Sequence, residues 1–203
     1  MGRAIAPAVL LIAATLPPTA AAARFFLPDG VIASPTHERF SVCHAHGCRE
    51  ISTLSLTPEQ WQRLRAEFAP PATTPAEERA GIARAIGRLE RIAGPLTGTG
   101  HDLAGAFDGR GREGQMDCID ESVNTTTYLR MLADSGLLRH HRIEPRSTRG
   151  FFLFGWPHTT AVIRESESGK RFAVDSWFHP NGVEPEIVPL KRWRAGHHPR
   201  EEQ

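Results

Sequence analysis

The chain has 203 residues, and its 24 basic side chains nearly balance its 23 acidic ones, which leaves a formal net charge of +1. A nearly neutral surface has no broad electrostatic attraction for polyanions, so we expect no nucleic-acid partner. Beyond the extreme N-terminus, no segment of the sequence is long and apolar enough to span a membrane. Length and composition therefore favour one globular domain with a sizeable core.

The N-terminal stretch, up to Ala23, has the organisation of a secretory signal peptide. Arg3 supplies a positive charge, "AVLLIAATL" is apolar but short, and "TAAAA" offers small residues for cleavage. Pro17 and Pro18 interrupt a continuing helix, which argues against the alternative of an uncleaved membrane anchor. We therefore expect an exported protein, periplasmic or secreted, whose mature chain covers residues 24–203 and has no membrane span.

Residues 24–95 are predicted to be mainly helical. "TPEQWQRLRAEF" places Thr57 at the N-cap and Pro58 in the first turn of a helix, and its apolar residues recur at helical spacing. "AEERAGIARAIGRLERIAG" predicts a second amphipathic helix, which we expect Pro95 to end. Before these helices, "RFFLPDGVIA" and "RFSVC" are candidates for short strands.

Residues 96–190 are predicted to form the core of the domain. After a glycine-rich stretch without a phosphate-binding motif, a helix is expected from about Cys118 to Leu132, with Gly136 as its cap. "RHHRIEP", "GFFLF", "HTTAVIRE", "RFAVDSWF" and "EIVPL" then predict short strands separated by turn residues. Helices followed by a mostly antiparallel sheet indicate the α+β class. Residues 191–203 are expected to be a solvated basic tail.

The chain holds three cysteines, Cys43, Cys48 and Cys118. Cysteines of exported proteins tend to pair, and one of three must stay unpaired in a monomer. Cys43 and Cys48 stand close together in "VCHAHGC", so we predict a short disulfide loop there and a free thiol at Cys118. The alternative for this segment is a zinc or copper site, since it combines two cysteines with two histidines. Crowding of the four ligands favours the disulfide, and no metal or cofactor is expected.

Cys118 stands where the predicted helix begins, with Asp117 or a neighbour as its N-cap. The free N–H groups and the dipole at a helix start favour a thiolate, the form of cysteine that attacks a carbonyl carbon. His158 begins the strand "HTTAVIRE" and could take the thiol proton and return it to a leaving group. The acidic residues Asp120 and Glu121 are interpreted as partners of the helix dipole.

Asp175 joins these residues if the two strands that follow the helix pair in one particular register. With Arg164 opposite Arg171, His158 lies opposite Trp177, and Asp175 is its diagonal neighbour on the same sheet face. A carboxylate there would hold the orientation of the imidazole. A shift of one residue would remove this arrangement, so the register is a test of the interpretation.

The order Cys118, His158, Asp175, carried by "DCIDESVNTTTYL", "WPHTTAVI" and "FAVDSWF", resembles the transglutaminase-like cysteine hydrolase superfamily. The nearest resemblance is to bacterial transglutaminase-like cysteine proteinases. It implies a papain-like arrangement, in which the helix that carries the cysteine packs on an antiparallel sheet, and acyl transfer from an amide through a thioester. Because the superfamily contains proteases, amide hydrolases, cross-linking enzymes and inactive members, the resemblance does not select a substrate.

An oxyanion hole could combine the backbone N–H of Cys118 with the side-chain amide of Gln115. The expected substrate is an amide of a peptide or protein, with cell-wall peptide suited to the compartment. Two alternatives stay open: an inactive binding or structural module on the same fold, and a periplasmic metal or redox protein that uses "CHAHGC". Taken alone, Cys118 would more simply be a buried structural cysteine.

Overall fold

The structure, a computed structural model, describes residues 26–105, 112–150 and 157–199. The predicted signal peptide lies outside these ranges, as does most of the strand candidate "GFFLF". Among the helices of the described part, none combines the length and the apolar character needed to cross a membrane.

The chain alternates between a small hairpin, a group of helices and a larger sheet. In chain order its elements are β1 (Phe40–His44), β2 (Glu50–Leu54), α1 (Pro58–Ala66), α2 (Pro75–Thr97), α3 (Cys118–Asp134), β3 (His141–Arg149), β4 (His158–Glu165), β5 (Arg171–Asp175), β6 (Glu186–Pro189) and α4 (Leu190–Arg194). β1 and β2 pair with each other, while β3, β4, β5 and β6 form a four-stranded sheet in that order, and every pairing is antiparallel. The predicted α+β class is confirmed.

The two N-terminal helices start at capping boxes, which satisfy backbone donors that a helix start leaves open. In α1, the Thr57 hydroxyl accepts from the Gln60 backbone at 3.2 Å, and the Gln60 side chain accepts from the Thr57 backbone at 2.8 Å. Thr74 and Glu77 make the same reciprocal pair at the start of α2. The helix starts therefore follow from local sequence, as predicted.

α2 continues through Pro95, which was wrongly predicted to end it. A proline disfavours the helical conformation of the residue before it partly through that residue's Cβ, and Gly94 has no Cβ. The absence of a side chain at Gly94 also permits close packing, since a Cβ there would lie 2.8 Å from Gly100 Cα. The helix ends instead at Gly98, whose φ of 76° is in the left-handed region.

The N-terminal strands were predicted only in part. "RFSVC" contains β1, but the described part of "RFFLPDGVIA" forms no strand, and β2 was not anticipated. Polar, partly exposed residues make up most of β2, so it has little apolar signal of its own. Its pairing with β1 depends on the chain reversal between them, where Ala45 and His46 adopt positive φ angles of 66° and 64°.

The larger sheet is covered on both faces. Successive side chains of β4 and β5 point to opposite faces, and both faces are apolar. One face packs against α2 and α3 in the main core, which includes Ile82, Ile86, Leu89, Leu129, Leu132, Ala161, Ile163, Phe172 and Val174. The other face packs against α4 in a smaller cluster of Val162, Ala173, Val188, Leu190 and Trp193. Each fully buried large apolar side chain stabilises the fold by about 1.5–3 kcal/mol, so a slip of one residue in either strand would be costly.

The segment predicted to be a solvated basic tail is folded over most of its described length. α4 begins it, and Trp193 is completely buried. Arg149 of β3 holds this segment through hydrogen bonds to the carbonyls of Trp193 and His197. Leu190 and Trp193 are apolar residues at helical spacing, and this was the sequence signal for a docked helix. It was overlooked because the residues around them are basic.

Candidate active site

Asp117 determines where the nucleophile helix begins. Its carboxylate accepts hydrogen bonds from the backbone N–H groups of Ile119 and Asp120, both at 3.0 Å, and the Asp120 carboxylate accepts from the Asp117 backbone at 3.2 Å. This reciprocal cap confirms the predicted N-cap and makes Cys118 the first residue of α3. α3 then runs to Asp134, and Gly136 follows its end with a left-handed φ of 72°.

Cys118 carries the free thiol, and its sulfur lies at the start of β4, 4.0 Å from the carbonyl oxygen of Pro157. Burial raises the pKa of this thiol to about 11; a backbone hydrogen bond from Thr159 opposes the rise, and the negative charges of Asp117 and Asp175 add to it. Loss of solvation therefore outweighs the helix start, and the thiol is protonated at rest. The expectation that its position alone would favour a thiolate is wrong for this resting arrangement.

His158 and Asp175 form a buried, hydrogen-bonded pair. The imidazole Nε2 lies 2.7 Å from Asp175 Oδ2, and their side chains are only 5% and 2% exposed. The register that this pair requires is present, with Arg164 opposite Arg171 across β4 and β5. The other ring nitrogen, Nδ1 of His158, is buried and has no hydrogen-bond partner among the described residues.

Trp193 completes the surroundings of the Asp175 carboxylate. Its indole N–H donates to Asp175 Oδ2 at 2.6 Å, the same oxygen that His158 contacts. This residue was missed by sequence reasoning because it lies in the segment interpreted as a tail. A buried carboxylate with two such partners is held in one orientation, which in turn holds the imidazole.

Aromatic rings enclose the imidazole. Ring centroids of Trp177, Phe178 and Trp193 lie 4.6, 5.3 and 5.4 Å from that of His158. Trp177 therefore lies against the imidazole, in agreement with its predicted position opposite His158. Such an apolar wall excludes water and strengthens the electrostatic interactions inside it.

The structure places Cys118 next to the His158–Asp175 pair without joining them directly. The thiol contacts the backbone of Pro157, the residue before His158, and no hydrogen bond connects the sulfur to the imidazole. The unpartnered nitrogen and the free thiol thus belong to one region at the start of β4.

Gln115 has a defined structural role. Its amide nitrogen donates to the His101 carbonyl at 2.9 Å, and its amide oxygen accepts from the Leu103 backbone at 3.1 Å. These bonds tie the loop after α2 to the segment that leads into Cys118. The predicted role of Gln115 in an oxyanion hole stays a prediction, and this bracing role was not anticipated.

The predicted disulfide between Cys43 and Cys48 is present, and its loop docks on α3. Asp120 accepts hydrogen bonds from the backbone N–H groups of His46 and Cys48 at 2.8 and 2.6 Å. One turn later, Asn124 exchanges hydrogen bonds with the N–H and carbonyl of Cys43 at 2.6 and 2.9 Å. Asp120 is therefore a fully buried clamp and not merely a partner of the helix dipole.

The metal alternative for "CHAHGC" finds no coordinating set in the part of the chain that the structure describes. No group of three or more His, Cys, Asp or Glu side chains is placed there to hold an ion. Both cysteines are consumed by the disulfide, and His44 contacts the Ser52 hydroxyl at 2.9 Å. The segment acts in this structure as a brace for α3.

Three buried carboxyl groups lie behind the nucleophile helix: Glu90 of α2, Asp102 of the following loop and Glu121 of α3. Burial is the main cause that raises the pKa of Glu90 to about 7, that of Asp102 to about 6 and that of Glu121 well above its usual range. Their mutual repulsion adds to this effect, so the group retains protons that exposed carboxyls would lose. The sequence did not predict this cluster, because its three members are far apart along the chain.

The chain matches no protein-family model, no curated protein and no solved structure. Its function is therefore inferred from the geometry of the site.

Proposed function

We propose that this chain is an exported, thiol-dependent amide hydrolase or acyl transferase with a papain-like, transglutaminase-like core. Cys118 attacks the amide carbonyl, His158 accepts the thiol proton and returns it to the leaving amine, and Asp175 orients the imidazole. One observation carries this proposal. Nε2 of His158 is hydrogen-bonded to Asp175 at 2.7 Å and Nδ1 is buried without a partner among the described residues, while the free thiol of Cys118 lies 4.0 Å from the carbonyl oxygen of Pro157, the residue before His158.

An unpartnered, buried ring nitrogen is costly, so its presence calls for an explanation. With Asp175 accepting the Nε2 proton, Nδ1 keeps its lone pair and is the natural acceptor for a proton. The Cys118 thiol, whose pKa is raised to about 11, is the matching donor. The resting site would therefore hold a protonated thiol, and the proton would move to Nδ1 as the sulfur attacks.

The nascent oxyanion would be stabilised by the start of α3. The first N–H groups of a helix have no partner within the helix, and the backbone N–H of Cys118 is one of them. Gln115 is the proposed second donor, through the amide hydrogen that its bond to His101 leaves unused. Water would then hydrolyse the thioester, whereas an amine would be cross-linked to the acyl group. Peptides or proteins, including cell-wall peptide, supply suitable amides, and no cofactor is required.

The test is the rate of iodoacetamide alkylation of the mature protein across pH, followed by peptide mapping. Only Cys118 should be labelled, since the other two cysteines are in a disulfide. At pH 7.5, His158→Ala should slow labelling by at least about tenfold, because the proton acceptor is lost. Cys118→Ser is the control for labelling elsewhere, and equal rates in wild type and His158→Ala would refute the proposal.

The second candidate is an inactive binding module on the same core. The raised pKa of the Cys118 thiol and the enclosed imidazole favour it, since a buried, protonated thiol can simply be inert. It predicts that Cys118 reacts with iodoacetamide only in denaturant. Fast labelling of the native protein at neutral pH would exclude this candidate.

A further inference from the structure

A β-bulge turns Arg146 toward the nucleophile helix. Glu144 pairs with Val162 and Ser147 with Thr160, so that Pro145 and Arg146 both stand opposite Ala161. Without the extra residue, the side chain at position 146 would point to the other face of the sheet, toward α4. Pro145, which has no N–H to donate, suits the unpaired position of a bulge.

The guanidinium of Arg146 lies over the first turns of α3. It donates to the Ser122 hydroxyl at 3.0 Å and to the Phe26 carbonyl at 3.1 Å. Ser122 is four residues after Cys118, so the two share one helix face. Thr159, whose backbone contacts the thiol, is opposite Thr148 and thus diagonal to Arg146 across β3 and β4.

Arg146 is partly buried, yet no carboxylate of the described residues forms an ion pair with it. Partly buried guanidinium groups are usually paired, because removing a charge from water without a counter-ion is unfavourable. Burial lowers the pKa of Arg146, and the negative charge of an ionised Cys118 raises it. Its two bonds to neutral oxygens leave donors of the planar fork free for an anion.

We propose that Arg146 binds a carboxylate of the substrate close to the scissile amide, so that the preferred substrates are acidic peptides. This inference rests on the proposed function, since it places the carboxylate relative to Cys118. The bulge supplies the direction, Ser122 holds the guanidinium in place, and the missing counter-ion is supplied by the substrate. Arg146 is then a specificity-determining residue on the helix side of the site.

Two small alkylating reagents that differ in charge test this inference without knowledge of the substrate. The sulfur displaces iodide from iodoacetate or from iodoacetamide, but only iodoacetate carries a carboxylate. The iodoacetate-to-iodoacetamide rate ratio at Cys118 should fall about fivefold in Arg146→Gln, as expected for unit charges roughly 7 Å apart in a partly aqueous medium. In Arg146→Lys the rate ratio should lie between those of wild type and Arg146→Gln, because lysine keeps the positive charge but lacks the planar guanidinium.

Arg142→Gln is the matched control, since Arg142 lies on the same strand, is exposed and stands opposite Arg164 in the register of β3 and β4. It should leave the ratio unchanged. Wild-type protein gives an independent readout, because 1 M salt shortens the screening length to about 3 Å and should lower the ratio even if Arg146→Gln folds poorly. An acidic peptide such as C-terminally amidated Ala-Glu should also protect Cys118 from iodoacetamide better than amidated Ala-Gln, which has no carboxylate.

The outcomes separate the two proposals. Suppose that iodoacetamide labels Cys118 and that His158→Ala slows this labelling, but that the iodoacetate-to-iodoacetamide rate ratio is the same in wild type and Arg146→Gln and does not change with salt. The role of Arg146 is then refuted, and the proposed function stands. If neither reagent modifies native Cys118, the nucleophile is lost, and both proposals fail together.

Discussion

The two sides of the site differ in their electrostatics. On the sheet side, Asp175 is surrounded by donors, with His158 at 2.7 Å and the Trp193 indole at 2.6 Å on one oxygen. On the helix side, Cys118 begins a helix whose first residues are acidic, and the charges of Asp117 and Asp175 both disfavour its ionisation. On the sheet side the Asp175 carboxylate is paired at rest, while the helix side holds a protonated thiol.

This difference indicates a division of labour in the proposed reaction. The sheet side is preorganised, so little reorientation of His158 is required when substrate binds. On the helix side the thiol is protonated at rest, and it would ionise only as His158 takes its proton. Arg146 is the cation on that side, and in our proposal its counter-ion arrives with the substrate.

The largest expected effect comes from removing the centre of the sheet side. Asp175→Ala leaves the Trp193 indole N–H and a ring nitrogen of His158 buried without an acceptor. Breaking a buried pair in this way costs about 3–5 kcal/mol, which urea unfolding followed by fluorescence would measure. Asp134→Ala, at an exposed position near the end of α3, is the control. A loss below about 1 kcal/mol would show that the pair is not held as described.

The carboxyl cluster behind α3 should make stability depend on pH in an unusual direction. The pKa of Glu90 is raised by burial from an ordinary 4.5 to about 7, and that of Asp102 from 3.8 to about 6. The folded state therefore binds more protons than the unfolded state between about pH 4 and 7. Stability from this cluster is present below that window and is lost as pH rises through it.

Glu90→Gln tests this dependence, because an amide resembles the protonated carboxyl in shape. The difference in unfolding free energy between the variant and wild type should grow by about 3 kcal/mol from pH 4 to pH 8 in favour of the variant. Urea unfolding across that range measures it, and Glu59→Gln, which alters an exposed glutamate of α1, serves for comparison. A pH-independent difference would mean that folding does not raise the pKa of Glu90.

The smallest expected effect comes from removing the hydrogen bond between the Trp193 indole and Asp175. Trp193→Phe keeps an aromatic ring in the buried position and removes the N–H that donates to Asp175. Loss of a hydrogen bond to a charged group should cost about 1.5–3 kcal/mol in urea unfolding. The pH dependence of Cys118 alkylation should also shift, since the orienting carboxylate loses one partner. A stability loss with an unchanged pH profile would restrict Trp193 to a structural role.

Local signals in the sequence determined the frame of the site. The capped starts of α1 and α3, the disulfide between Cys43 and Cys48 and the register of β4 on β5 were all predictable. Each depends on groups close together in the chain or on strands joined by a short turn. These features can therefore be predicted from residues that are close together in the sequence.

Only the tertiary structure decided the chemistry within that frame. Burial sets the high pKa of the Cys118 thiol, the docking of α4 brings Trp193 to Asp175, and a bulge directs Arg146 toward α3. These features arise between segments that are distant in sequence, and they depend on which side chains lose contact with water. Periodicity and spacing report which residues face a core, but the free energy of each charge depends on what the packed chain places around it.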